Sequence, residues 1–274
     1  MNKVFYLSFS FLIVILTVLP TMAQSTASKN ISTFSIQAKQ LDTIKKIWVY
    51  LPESYSSNNK KFPVLYLQDA QNLFDKSTSF VGEWRVDESL DSLNLDLIVI
   101  GIEHGNEKRI DELTPYPHSE YKGGKADSYL DFIMNTLKPH VDSLYHTSSS
   151  AENTFIGGSS LGGLFSYYAT LKHPDVFGKA IVFSPSFWYS EDIFDFTESL
   201  ELKSLSKNQF YFRAGEKESE KMLPLMYKMK ELLSTKLASN TQINIDSIPD
   251  GEHNEKLWSK SFADAAIWLL ELDK

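Results

Sequence analysis

The chain has no cysteine among its 274 residues and only 27 Lys and Arg against 35 Asp and Glu. Without cysteine there is no disulfide, thiolate nucleophile, Cys-ligated zinc, iron–sulfur cluster or lipidated N-terminal cysteine. A net charge of −8 lacks the basic footprint of a nucleic-acid binder and argues against docking on anionic lipid. There is no phosphate-binding P-loop, no H-x-x-x-H pair and no EF-hand loop, and the histidines are scattered, so neither a metal nor a cofactor is expected. No internal repeat, low-complexity tract or Gly/Ser or Pro linker divides the sequence. What is present is 42% apolar and 13% aromatic side chains, the composition of a packed core that needs no covalent staple at this length.

The one long apolar run lies at the start. Lys3 supplies a short positive region, residues 4–19 are almost wholly apolar, and Pro20-Thr21-Met22-Ala23 places small residues for cleavage before Gln24. The run is short for a membrane span, which needs ~20 residues. Residues 1–23 are therefore expected to be a cleavable signal peptide. Residues 24–274 are expected to form a single exported domain, periplasmic or secreted, with no stable membrane anchor after cleavage.

Residues 24–30 read as a loose lead-in. Residues 34–37 and 47–51 read as a hairpin. Short apolar runs at 64–67, 97–102, 154–156, 179–183 and 209–213, with an alternating run at 243–248, read as strands. Helical spacing recurs at 129–145, 164–172, 224–237 (opened by Pro224) and 259–272, with Ser259 as the expected N-cap. Residues 103–125 form the longest stretch without a pattern. Strands that alternate with helices predict an α/β fold whose mostly parallel central sheet carries helices on both faces.

Gly158-Ser159-Ser160-Leu161-Gly162 is a G-x-S-x-G pentapeptide between an apolar strand and an apolar helix. That setting is a nucleophile elbow, a turn so tight that only small neighbours fit. Ser160, its central residue, is the candidate nucleophile in preference to Ser159. The backbone N–H of Leu161, at the start of a helix, is a candidate oxyanion donor. A serine nucleophile needs a base, and the base an orienting acid. Of the two histidines that follow Ser160, His173 closes the elbow helix at its far end. His253 lies in a turn-rich loop after the last strand and is the candidate base. The acid belongs on the loop after strand 209–213, where Glu216, Glu218 and Glu220 compete, with Asp192 and Asp195 as more distant options. The loop after strand 64–67 places the N–H of Ala70 or Gln71 as the second oxyanion donor.

Five stretches resemble the esterase D-like branch of the α/β-hydrolases, the branch of enterochelin-type siderophore esterases and of feruloyl and acetyl-xylan esterases of carbohydrate esterase family one. They are residues 66–75, 101–115 with its Glu-Leu-Thr-Pro ending, 157–163, 184–188 (Ser-Pro-Ser-Phe-Trp) and 251–258. The resemblance implies an α/β-hydrolase fold and an ester hydrolase acting through an acyl-serine. Ser160 matches the nucleophile and His253 the base, and the family pattern favours Glu218 as the acid. It also implies that Trp188 lines the substrate pocket, with Phe187, Trp84 and Tyr116 available for stacking. The family often has His-Asp-Gly-Gln-Asn in its oxyanion loop; Gln68 and Ala70 stand here in place of its His and Gly. The implied substrate is a small-molecule or carbohydrate ester, either a siderophore lactone or an acyl or feruloyl sugar. An acyltransferase, or a non-catalytic binding protein on the same scaffold, is the alternative.

Overall fold

The computed structural model describes Met1 and residues 24–57, 60–200, 208–237 and 242–271. The expected signal segment past Met1, with its cleavage point, lies outside the described residues. The strands are β1 (Ile31–Ala38), β2 (Thr43–Tyr50), β3 (Val64–Gln68), β4 (Ile98–Ile102), β5 (Thr154–Ser159), β6 (Lys179–Phe183), β7 (Gln209–Gly215) and β8 (Ile243–Ile248). They form one sheet in the order β1-β2-β4-β3-β5-β6-β7-β8. The pairs β1–β2 and β2–β4 are antiparallel and all other neighbours are parallel. The helices are α1 (Val86–Leu93), α2 (Arg109–Leu113), α3 (Ala126–Phe132), α4 (Lys138–Leu144), α5 (Leu161–Lys172), α6 (Asp192–Ser199), α7 (Met222–Lys236) and α8 (Glu255–Glu271).

The sheet is covered on both faces, which explains why its central strands read as unbroken apolar runs. Tyr66 of β3, Ile100 of β4, Val182 of β6 and Phe212 of β7 point into one core, shared with α3, α5 and α7. Leu65, Val99, Ile181 and Tyr211, one residue out of step, point into a second core beneath α1 and α8. Every parallel strand ends at the same edge of the sheet, so the loops after β3, β5, β6, β7 and β8 gather there, where ligands of such sheets bind.

Several boundaries differ from the sequence expectation, each for a local reason. Helix α8 starts at Glu255, so Ser259 is interior to it. Asn254 serves the helix start instead, its Oδ1 accepting the Leu257 N–H at 3.3 Å. Helix α7 begins two residues ahead of Pro224, which occupies its first turn. Residues 129–145 are not one regular helix: a π-helical turn, Ile133–Leu137, joins α3 to α4. Pro139 follows that turn and has no N–H for the regular i→i−4 bond, so the register widens just before it. Residues 103–125 contain α2 after a 3₁₀ turn at Asn106–Lys108. This segment is fastened by a buried ion pair. Lys45 Nζ lies 2.6 Å from both oxygens of Glu112, which also accepts the Gly105 N–H at 2.9 Å. Breaking such a pair leaves an uncompensated buried charge and costs about 3–5 kcal/mol. The segment 24–30 is not loose: Ser25 Oγ donates to Asp75 at 2.6 Å and Ser28 N–H to Asp87 at 2.7 Å. The short helices α1 and α6 have no counterpart in the sequence expectation.

Candidate active site

The elbow is a strained point of the site. Ser160 joins β5 directly to α5 at φ 57°, ψ −120°. A non-glycine residue in such a region costs on the order of 1–3 kcal/mol. Three hydrogen bonds hold it there. Its N–H donates to Phe183 O at 3.0 Å, and its carbonyl accepts the N–H groups of Leu164 (3.0 Å) and Ser186 (3.1 Å). At about 1 kcal/mol each, these match the strain. The turn admits no side chain on its inner side. A Cβ on Gly158 would lie 2.9 Å from the carbonyl carbon of Gly162, and one on Gly163 would lie 2.7 Å from Phe183 O. The Ser160 hydroxyl is 3.2 Å from that of Ser186, a residue that the sequence reading left without a role.

Two loops from adjacent parallel strands bring His253 to a carboxylate. Glu218, on the loop after β7, places Oε2 2.6 Å from His253 Nδ1, on the loop after β8. Its other oxygen accepts the Gly215 N–H at 2.6 Å and the Ser184 hydroxyl at 2.7 Å. The Trp258 indole N–H donates to the same Ser184 hydroxyl at 2.9 Å. The Glu218 side chain is only 1% exposed, whereas that of His253 is 39% exposed. A carboxylate at Nδ1 makes that nitrogen the N–H of a neutral imidazole and leaves the Nε2 lone pair available. The Trp258 ring meets the imidazole edge-on, with centroids 5.1 Å apart. Glu216 turns away to the Ser247 hydroxyl at 2.8 Å, Glu220 is exposed, and Asp192 accepts a hydrogen bond from Ser190. His173 lies at the end of α5 opposite Ser160. Ser184 and Trp258 are partners that spacing alone did not single out, although both fall in stretches that carry the family resemblance.

The two loops are registered by glycine packed on glycine. Lys217 N–H donates to Gly251 O, and Glu216 N–H to Ile248 O, both at 2.9 Å. A Cβ on Gly215 would lie 2.2 Å from Gly251 O, so nothing larger than glycine fits at that approach.

Ser160 and His253 line one cavity of about 700 Å³, together with Ser159, Gln71, Trp84 and Trp258. Leu161 is the first residue of α5, and Ala70 and Gln71 open the 3₁₀ turn Ala70–Asn72; N–H groups at such positions have no partner within their own turn. Asp69, ahead of that turn, is left-handed at φ 60°. Arg109 grips its carboxylate with two bonds of 2.7 and 2.8 Å. Burial alone would push the Asp69 carboxyl up, but the guanidinium outweighs it and holds the group below its usual range. Burial lowers the neighbouring His104 imidazole and raises the Glu255 carboxyl. Gln68 is buried with its side chain turned to the Tyr129 hydroxyl at 2.6 Å. Trp188 is not among the residues that line this cavity. It packs with His118, Tyr121 and Tyr189 in a half-exposed aromatic cluster. Phe187 is a core residue, against the expectation of a stacking role, and Tyr116 packs on Tyr168.

The family described as "Putative esterase" matches residues 38–269. The Bacillus subtilis (strain 168) protein YbbA is 30% identical over 240 residues, which cover 82% of this chain and 92% of that protein. The siderophore enterobactin esterase of Emericella nidulans is 28% identical over 190 residues, 61% of either chain. A solved structure of a ferulic acid esterase superposes with a TM-score of 0.69 at 16% identity, covering 88% of this chain and 98% of that one. The fold is that of the α/β-hydrolases.

The glycine contact makes a prediction. Gly215→Ala is expected to drive the two loops apart and lower kcat/KM for a simple ester by ~10²-fold, the scale of a misplacement of about 1 Å, while circular dichroism stays native. Wild-type kcat/KM in this variant would show that the approach of the loops is not required.

Proposed function

The chain belongs to the putative esterase family, and from that membership we propose that it is an exported serine esterase that cleaves its ester through an acyl-serine. The observation that carries this reading is the 2.6 Å bond between the buried Glu218 carboxylate and His253 Nδ1, with His253 lining the same cavity as a serine held in a strained elbow.

Ser160 Oγ attacks the ester carbonyl carbon as His253 Nε2 takes its proton. Glu218 fixes the imidazole tautomer and stabilises the imidazolium without taking the proton itself. The developing oxyanion is held by the N–H of Leu161, at the positive end of α5, and by that of Ala70 or Gln71. His253 returns the proton to the departing alcohol. It then takes a proton from a water that attacks the acyl-serine and gives that proton to Ser160 Oγ as the bond to the acyl group breaks, so the carboxylic acid leaves and the free serine is restored. No step calls for a cofactor. The substrate class is a siderophore lactone or an acyl or feruloyl sugar ester. The relative named a siderophore enterobactin esterase supports the first, and the ferulic acid esterase is a fold relative only. Export rests on the pattern of residues 1–23. No helix among the described residues is long and apolar enough to cross a membrane.

Replacing Ser160 or His253 with Ala is expected to lower kcat by roughly 10⁴–10⁶-fold, with little further loss in the double variant, because such groups act as a unit. Glu218→Gln should lower kcat by about 10²–10⁴-fold with KM nearly intact. Ser159→Ala should be far milder. A large loss for Ser159→Ala with Ser160→Ala active, or no loss for Glu218→Gln, would contradict the assignment. The substrate is read from kcat/KM on a tricatecholate lactone, a feruloyl sugar and an acetyl sugar.

Export makes a separate prediction. N-terminal sequencing of the exported protein is expected to begin at Gln24, and an intact Met1 on the soluble protein would contradict cleavage.

A further inference from the structure

Phe80 and Val81 are 91% and 63% exposed, yet both line the cavity that holds Ser160 and His253. Single exposed apolar side chains need no explanation. Two adjacent ones at the mouth of a reactive cavity, on a backbone fixed from several sides, call for one. The fixing is specific. Asn72, itself in the cavity wall, accepts the Phe80 N–H on its side-chain oxygen at 3.0 Å and donates to Glu255 at 3.2 Å. Its main-chain carbonyl accepts the Trp84 N–H at 2.7 Å. Thr78 Oγ1 donates to Gln71 O at 2.8 Å.

The far side of the same loop is tied to residues 24–30. Ser25 Oγ and Thr26 N–H donate to the two oxygens of Asp75 at 2.6 and 3.2 Å. Thr26 Oγ1 donates to Glu83 and accepts the Lys76 N–H, each at 2.8 Å. These bonds hold the loop to the rest of the chain but leave the Phe80 and Val81 side chains uncovered. Inside the rim, the Trp84 and Trp258 rings pack at a tilt of 45° with centroids 5.9 Å apart, both almost fully buried and both in the cavity wall. The approach to His253 on this side therefore runs from an exposed Phe–Val pair to two tryptophans. Such a wall matches a flat aromatic ring, which gains from offset or edge contacts beyond the area it buries.

We propose that Phe80 and Val81 form an apolar lip that selects esters bearing an aromatic ring, and that residues 24–30 are the strap that sets the lip's position. This rests on the esterase reading of Ser160 and His253 and narrows it to aryl-bearing esters over acetyl esters. The lip and strap are specificity elements that take no part in proton transfer.

The test uses two ester pairs that differ by a ring on one side of the ester bond: methyl ferulate against methyl acetate, and benzyl acetate against ethyl acetate. For the wild type, kcat/KM should favour the aryl member in at least one pair. Phe80→Ala combined with Val81→Ala should reduce that ratio about tenfold or more, the scale of losing apolar contact in a specificity pocket. Ser25→Ala combined with Thr26→Ala should reduce the same ratio in the same direction. Circular dichroism and Tm check that the variants are folded. If the wild type turns over both members of each pair with no aryl preference, the lip is wrong and the esterase reading stands. An unchanged ratio in the Phe80/Val81 variant also overturns the lip, and an unchanged ratio in the Ser25/Thr26 variant overturns the strap. Absence of turnover for every ester would overturn the esterase reading, and the lip with it.

Discussion

One hydrogen bond organises the reactive edge of this protein: the 2.6 Å contact between the Glu218 carboxylate and His253 Nδ1. It joins loops that leave neighbouring parallel strands, β7 and β8, and neither loop could make it alone. The carboxylate is buried, so its charge must be met in full. Gly215 N–H and the Ser184 hydroxyl meet one oxygen and the imidazole the other. Ser184 is in turn oriented by Trp258, the fourth residue of α8. Held in this way, Glu218 meets the imidazole at Nδ1 and leaves Nε2 on the side free to accept.

The elbow applies a second constraint from β5. Its strain is matched by hydrogen bonds to Phe183 at the end of β6 and to Ser186 just beyond, so Ser160 is located by β6 as much as by its own strand. Ser184, between those two residues, belongs to the Glu218 network. The short run from Phe183 to Ser186 therefore touches both the proposed nucleophile and the proposed acid. A shift in this run would disturb both together. This is a physical reason to expect Ser160, His253 and Glu218 to lose function as one unit rather than in additive parts.

Much of this was legible in the sequence because the signals are local. The unbroken apolar runs of β3, β4 and β6 announced a sheet buried on both faces, and the strand–elbow–helix around Ser160 was visible as a pentapeptide in context. His253 followed from chain order. The competition among Glu216, Glu218 and Glu220 was not decidable from spacing. What separates them is which side chain faces the β8 loop, and that depends on Gly215 meeting Gly251 across residues distant in sequence. Ser184 and Trp258 were hidden for the same reason: each matters only through a partner on another element. The role expected of Trp188 in the pocket came from resemblance, and the fold instead places this residue with His118 and Tyr121. The N-cap assigned to Ser259 failed because Asn254, an equally good cap, lies earlier in the chain. The tie between residues 24–30 and Asp75 has no sequence signal, since Ser and Thr in a polar segment are the ordinary composition of a loop.

The central claim is that Ser160 is a nucleophile activated through His253 and Glu218. Covalent labelling with a fluorophosphonate, followed by peptide mass mapping, tests it most directly. The account predicts one adduct, on the peptide that contains the elbow and at Ser160 within it, forming much more slowly in Glu218→Gln than in the wild type. An adduct on any other residue, or ester turnover by a protein that takes no label, would contradict it.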